Sequence, residues 1–316
     1  MSKKIFIDGA AGTTGLEIRE RLARRSDLAV VQLSDSERKD VRARKKALND
    51  AGVVILCLPD EAAREAVAMI DNPQVRVIDA STAHRVAPNW AFGFPEFSPG
   101  NYESIAAAGR VTNPGCYATG FIALVAPLIR AGLVPSDTAL SVNAVSGYSG
   151  GGKAMIAEFE DKNASDYTET VVRSYALSLA HKHVPEMTER SGLKHPPVFA
   201  PSVGRYYRGM IVEVPLQLWA LPGAPSGGDL RAALADTYRG RPFVEVASAA
   251  ETASLKTLDA ELLKNTNRMK LYVFANENAK QARLIAVLDN LGKGASGAAV
   301  QNLNVMLGLP ETTGLT

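Results

Sequence analysis

The first 130 or so residues alternate short apolar runs with longer stretches of helical spacing. Ile5-Phe6-Ile7, Leu28 to Leu33, Val53 to Leu58 and Val75 to Asp79 read as strands, and Arg110-Val111-Thr112 as the end of another. Leu16 to Arg25 and Asp60 to Ile70 carry helical spacing, and Phe121 to Ile129 reads as a largely buried helix. Strands alternating with helices imply a parallel sheet with right-handed crossovers. After about residue 132 the pattern changes. Ala139 to Val145, Arg208 to Leu218, Phe243 to Val246 and Lys270 to Phe274 read as strands with fewer helices between them, which predicts a mixed or antiparallel sheet. Pro222 to Gly228 reads as a loop. Ala295 to Leu307, rich in small residues, predicts a helix that packs back on the first domain.

Composition changes this picture little. A chain of 316 residues is long enough for two domains with cores, and 46% apolar with 22% charged residues is ordinary for a globular protein. A net charge of +2 gives no argument for a nucleic-acid or membrane partner. The two cysteines, Cys57 and Cys116, suggest neither a disulfide framework nor a metal site. The chain runs directly into its first strand, with no signal-peptide pattern and no long apolar span, so a cytoplasmic protein is expected.

Gly9, Gly12 and Gly15 stand three apart at the first strand-to-helix junction, with Thr13 and Thr14 between them. Backbone without side chains can approach a pyrophosphate, and a helix N-terminus attracts its charge. A plain tight turn is the alternative. At the end of the second strand, Ser34, Ser36, Arg38 and Lys39 favour a 2′-phosphate, while Asp35 argues for a free ribose hydroxyl; NADP(H) is the expected cofactor. A solvated helix start is the other reading of Arg38 and Lys39. Gly9, Ser34, Pro59, Ser81 and Cys116 all fall at carboxyl ends of strands, where ligands of such sheets collect. The fold class is therefore α/β, with a Rossmann-type parallel-sheet domain followed by an α+β domain.

Cys116 follows the turn signal Pro114-Gly115 and opens a helix, where unpaired N–H groups and the helix dipole favour a thiolate nucleophile. A small buried hydrophobe is the alternative. A thiolate beside a nicotinamide suggests thioester formation followed by hydride reduction, with an acid/base to handle the proton. His181 and His183, followed by Pro185-Glu186, could supply it. The same residues could simply begin a helix, and no further ligand cluster supports a metal. His84 and His195 read as surface or loop residues.

The segment Thr112-Asn113-Pro114-Gly115-Cys116-Tyr117-Ala118-Thr119 resembles the active-site stretch of N-acetyl-gamma-glutamyl-phosphate reductases, enzymes of arginine biosynthesis. The Gly9–Gly15 loop, the Ser146-Gly147-Tyr148-Ser149-Gly150 turn with Gly152-Lys153, His181 to Glu186, and Asp289 to Asn302 also match, in the right order. The length is similar to the shorter, type 2 branch. The resemblance implies NADPH-dependent reduction of N-acetyl-glutamyl 5-phosphate to the semialdehyde with release of inorganic phosphate. It makes Cys116 the acyl acceptor and His183 the acid/base steered by Glu186, with His181 in reserve. Asn290 is expected near the nicotinamide, and Asn113, Ser149, Lys153 and Arg208 at the substrate; surface charge is the alternative for the last two. Pro95-Glu96 matches without a derivable role. Residues 1–115 and 295–316 would form the NADP-binding domain and 116–294 the catalytic and oligomerisation domain. A homo-oligomer, dimer or tetramer, is expected by analogy. The rivals are an aspartate-semialdehyde dehydrogenase, a non-catalytic NADP sensor and a cysteine hydrolase.

Overall fold

A computed structural model describes residues 3–34 and 36–316. Its helices are α1 (Thr13–Leu22), α2 (Val41–Asp50), α3 (Asp60–Ala68), α4 (Asn101–Ala107), α5 (Cys116–Arg130), α6 (Gly152–Glu160), α7 (Val184–Ser191), α8 (Gly227–Thr237), α9 (Ala249–Ser254) and α10 (Gly297–Met306). The chain divides into two compact units. One comprises Met1–Pro95, Pro99–Pro114 and Ala295–Thr316; the other comprises Glu96–Ser98 and Gly115–Gly294.

The first unit holds strands β1 (Lys3–Asp8), β2 (Leu28–Val31), β3 (Val53–Leu56), β4 (Arg76–Asp79), β5 (Ala91–Phe92) and β6 (Arg110–Thr112). They form a sheet of order β2-β1-β3-β4-β6-β5, parallel throughout. Alternate residues of each strand face opposite sides, so one strand feeds two cores. Ile5, Ile7, Val53 and Ile55 pack with α1 and α10; Phe6, Val54 and Leu56 pack with α2 and α3. Both faces are covered, which is why β3 is apolar at every position. From α10, Ala299, Val300 and Leu303 enter the first of these cores. Its small residues let the helix lie close to the sheet.

The second unit carries β7 (Ser141–Gly147), β8 (Val172–Ser174), β9 (Val198–Gly204), β10 (Met210–Gln217), β11 (Val244–Val246), β12 (Met269–Asn276) and β13 (Gln281–Leu288). The sheet order is β11-β12-β13-β10-β7-β9-β8. It is mixed: β7–β9 and β11–β12 are parallel, and the other pairs antiparallel. The interior strand β13 and the strands β8 and β9 carry no clean strand signal in sequence. In β13, Gln281 and Arg283 interrupt the apolar positions, and Arg283 is held across the sheet by Glu213. The segment expected as a loop ends in a helix start. Ser226 and Asp229 form a capping box that opens α8 at Gly227, so the glycine run hides the first turn. The helix α5 is buried from Tyr117 to Leu128.

Candidate active site

The chain enters the second unit at Gly115, the N-cap of α5, and Cys116 is the first helical residue. Gly115 has no side chain to cap the helix, and no acid stands in the first turn. The first N–H groups and the positive end of the dipole are thus left at the cysteine. Cys116 is partly exposed and not disulfide-bonded, which suits a reactive thiol. Cys57, also partly exposed, differs in its surroundings. Burial pushes its thiol up to about 12, with the charges of Asp79 and Asp8 adding to the effect, so it stays protonated and inert.

Glu186, on α7, is 1% exposed, and both its oxygens lie 3.2 Å from the N of Gly115, which donates. The carboxylate satisfies a donor beside the α5 N-terminus and complements the dipole there. The N-cap of α7 is His183, and its first turn contains Pro185 and Glu186. His-Val-Pro-Glu is therefore a helix start, and that helix start is what aims the glutamate at Gly115. The backbone N–H of His183 donates to His181 Nδ1 at 3.1 Å. This bond needs an unprotonated Nδ1, so the neutral His181 ring carries its proton on Nε2. The two imidazoles meet edge to face with centroids 4.7 Å apart, and both flank the ring of Tyr117, at 5.9 and 5.8 Å. Tyr175 joins the group by donating to Tyr117 Oη at 3.0 Å. Burial pushes both phenols above their ordinary range, and neighbouring Cys116 pushes the same way, so both remain protonated. Nothing in the aperiodic segment around Tyr175 marks it in the sequence.

A second group lies in the same unit. Asn290 Nδ2 donates to Ser149 Oγ at 2.9 Å, and Gly209 N–H donates to Asn290 Oδ1 at 2.8 Å. Asn290 is 1% exposed, and these two bonds brace the Ser149 turn. Arg208 donates to Asn265 Oδ1 at 2.9 Å and lies 3.6 Å from Asp289 Oδ2. Asp289 is fully buried, and its other oxygen accepts from Leu291 and Gly292 N–H. One carboxylate thus fixes both the turn and the arginine. Lys153 is exposed on α6.

A π-helical turn, Gly292–Ser296, starts behind Cys116. A Cβ on Gly294 would lie 2.8 Å from Cys116 Cβ and 3.1 Å from Asp289 O. Gly294→Ala is expected to cost about 1–3 kcal/mol by overpacking and to change the alkylation rate of Cys116 several-fold; a rate within twofold of the parent would show that the turn gives way freely. The neighbouring Lys293 is buried, its Nζ 2.8 Å from both oxygens of buried Glu96. Pro95-Glu96 thereby acquires a partner that the sequence did not reveal.

In the first unit, Gly9 has φ +86°, and a Cβ there would lie 2.3 Å from Cys57 O. Gly12 caps α1 and donates to Gly9 O at 3.0 Å. A Cβ on Gly12 would meet nothing closer than 3.5 Å, so the space above it is open, whereas one on Gly15 would lie 2.4 Å from Gly9 O. Thr13 Oγ1 is buried with no hydrogen-bond partner among the described residues, and Thr14 follows in the first turn. Open backbone, a helix N-terminus and an orphaned hydroxyl fit the pyrophosphate of a dinucleotide.

Other expected cofactor contacts are already engaged. Ser34 donates through Oγ at 2.6 Å and through N at 2.9 Å to Glu37 Oε2, and its Oγ lies 3.2 Å from that of Ser36. Asp35 lies outside the described residues. Arg38 borders the loop-side pocket. Pro59 is exposed at the start of α3. Ser81 Oγ donates to Asp79 Oδ2 at 2.8 Å and accepts from Ala83 N–H. Asp79 also holds His84 Nδ1 at 2.5 Å, and that ring stacks on Trp90 at 4.2 Å. His84 is thus a loop residue, as expected, with its side chain tethered; His195 is exposed. Asn113 donates to Ala295 O at 3.0 Å and accepts from Asn302 at 3.1 Å, both bonds lying inside its unit. Among the described residues no group of three His, Cys, Asp or Glu side chains could hold a metal, and no helix is long and apolar enough to cross a membrane.

Comparison with known proteins agrees with this layout. Residues 4–105 match the model of the semialdehyde dehydrogenase NAD binding domain, and residues 116–290 that of the semialdehyde dehydrogenase dimerisation domain. An N-acetyl-gamma-glutamyl-phosphate reductase of Trichormus variabilis is 53% identical over 99% of each chain. One from Brucella ovis is 53% identical over 98% of this chain and all of its own. Aspartate semialdehyde dehydrogenase II of Vibrio cholerae shares the fold with a TM-score of 0.68, at 16% identity, over 97% of this chain and 98% of that one. The chain belongs to the semialdehyde dehydrogenase family, on its N-acetyl-gamma-glutamyl-phosphate reductase branch.

Proposed function

We propose that this chain reduces N-acetyl-L-glutamyl 5-phosphate to N-acetyl-L-glutamate 5-semialdehyde with NADPH, releasing inorganic phosphate, as a step of arginine biosynthesis. The observation that carries this reading is Cys116 at the open N-terminus of α5 with Glu186 and two histidines around it, in a chain 53% identical to reductases of that name. Residues 1–115 and 295–316 bind the cofactor, and 116–294 hold the chemistry and the oligomer contact. The match to a dimerisation domain supports a homo-oligomer, which we read as a dimer or tetramer. Neither cysteine is in a disulfide, as a reducing cytoplasm would keep them.

Cys116 attacks the acyl carbon, a C–S bond forms, and the bond to the phosphate oxygen breaks. The N–H groups and dipole of α5 stabilise the thiolate before attack and after release. Held at the Gly9–Gly15 loop, NADPH would supply the hydride that reduces the thioester. An imidazole protonates the oxygen and takes the proton back as the C–S bond breaks and the aldehyde forms. Glu186 positions Cys116 by holding Gly115. Arg208 and Ser149, the former kept in place by Asp289, hold the anionic ends of the substrate.

His183 is the first choice for the imidazole. A specific observation supports a second assignment: His181 is partly exposed and its tautomer is fixed by the His183 N–H, as a proton-transfer ring requires. His183→Asn and His181→Asn separate the two. The acid/base variant is expected to lose roughly 10²–10⁴-fold in kcat, and the orienting one far less. Losses below tenfold in both would remove the pair from the chemistry.

The reaction itself is tested in reverse. Oxidation of N-acetyl-glutamate semialdehyde in the presence of phosphate and NADP is expected to exceed that of aspartate semialdehyde by roughly 10²-fold or more in kcat/KM, as a site built for one substrate's polar groups discriminates. A preference for aspartate semialdehyde would overturn the reading.

A further inference from the structure

The charges around Cys116 come in matched sets. Beside the thiol stand the phenols of Tyr117 and Tyr175, both protonated, and the imidazoles of His181 and His183 grouped round Tyr117. On the π-helical turn behind it, buried Lys293 is paired with Glu96. Asp289, ahead of that turn, faces Arg208 at 3.6 Å. The third carboxylate is Glu186, 1% exposed, whose oxygens accept from the N–H of Gly115, one residue before the thiol. One N–H and the dipole of α5 are a small return for burying a full negative charge, which a protein interior holds only against a cation. They also leave that charge next to the thiol, where it opposes ionisation.

The cation stands on the same helix. Arg190 lies four residues after Glu186 on α7, the spacing that brings two side chains together on one face, and it is partly buried. The helix α7 packs against α5, and α5 carries no charged side chain between Cys116 and Arg130 at its far end. Arg190 is the only permanent cation of α7, whose remaining acid, Glu189, is exposed. Burial pulls the Arg190 guanidinium below its ordinary range, and the charge of Glu186 opposes this ahead of that of Glu189. A cation that served only the dipole at the end of α7 would have no need of burial. We propose that Arg190 is a positioning residue for the nucleophile: its charge cancels that of Glu186, so the carboxylate holds the start of α5 without opposing the Cys116 thiolate. This rests on the reading of Cys116 as the nucleophile.

The test follows alkylation of Cys116 by iodoacetamide against pH, read as added mass on the Cys116 peptide, in the full-length protein. In Arg190→Met the carboxylate is left uncompensated, so the midpoint of the profile is expected to rise by about one, which slows alkylation about tenfold at pH values below the midpoint. Glu186→Gln keeps an acceptor for the Gly115 N–H but leaves the arginine uncompensated, so its midpoint should fall by a similar amount. Combining Glu186→Gln with Arg190→Met removes both charges, and the rate should return to within about twofold of the parent. Arg190→Lys keeps the charge and should stay close to the parent. An arginine that served only the packing of α7 would leave the double variant as slow as Arg190→Met. That result, or a change below threefold in Arg190→Met, overturns the role of Arg190 and leaves Cys116 as the nucleophile. A parent protein that releases no phosphate from the acyl phosphate without cofactor overturns the reading of Cys116 itself.

Discussion

Cys116→Ser is expected to abolish reduction, with kcat down roughly 10⁴-fold or more, the scale on which a covalent nucleophile's loss is felt. A serine hydroxyl at the same helix N-terminus stays protonated near neutral pH, and no N–H array or dipole of this size brings an alcohol into the range where it ionises. A thiol needs only a small push, which the open first turn of α5 supplies. The exchange is nearly isosteric, and the site is partly exposed, so folding should be unaffected. The glycine loop is built entirely from first-unit residues, so NADPH binding should be within about twofold of the parent. The covalent step has its own readout. Incubated with acyl phosphate but no cofactor, the parent should gain the mass of the acyl group at Cys116 and release phosphate in proportion; the serine variant should do neither. A serine variant that kept more than a few per cent of the rate would show that no thioester lies on the path.

The parts of this site that the sequence displayed are the local ones. A proline-glycine break before an apolar helix places Cys116 at an N-terminus because the geometry of a helix start is decided within four residues. Likewise, His183 to Glu186 is legible as a helix start from its proline and acid alone. The long-range partners were not legible. Glu186 bonds Gly115, 71 positions away in the chain, and Asn290 bonds Ser149, 141 positions away; neither periodicity nor spacing carries such information. The same holds for Asn113, whose bond to Ala295 spans 182 positions and is displayed only by the fold. The interior strand β13 escaped for a related reason. Its exposed positions, Gln281 and Arg283, are polar, and only the pairing with β10 and β12 on either side makes the alternation meaningful.

Lys293→Met is expected to lower the stability of the second unit by about 3–5 kcal/mol, a large share of what a domain has. Lys293 is 1% exposed and Glu96 likewise, so neither charge is hydrated. Their ammonium and carboxylate are paired directly, Nζ lying 2.8 Å from both carboxylate oxygens. Methionine fills the space of the lysine stem but leaves a carboxylate inside apolar surroundings that include Phe243. Desolvation of an unpaired ion, not the lost attraction, sets the size of the effect. The double variant Lys293→Met with Glu96→Leu should therefore regain most of the loss, because it removes both charges at once. A double-mutant cycle by chemical denaturation measures this, with the coupling energy expected to be of the same order as the single loss. Stability is expected to return without the parental reactivity of the thiol. Lys293 stands next to Gly294, whose backbone leaves only enough room for Cys116, so a repacked π-helical turn should shift the thiol. The double variant is then expected to unfold at nearly the parental denaturant concentration yet alkylate at Cys116 several-fold differently. A Lys293→Met protein within 1 kcal/mol of the parent would mean that the buried carboxylate finds another donor, and the pair would lose its place as the anchor of the turn behind the cysteine.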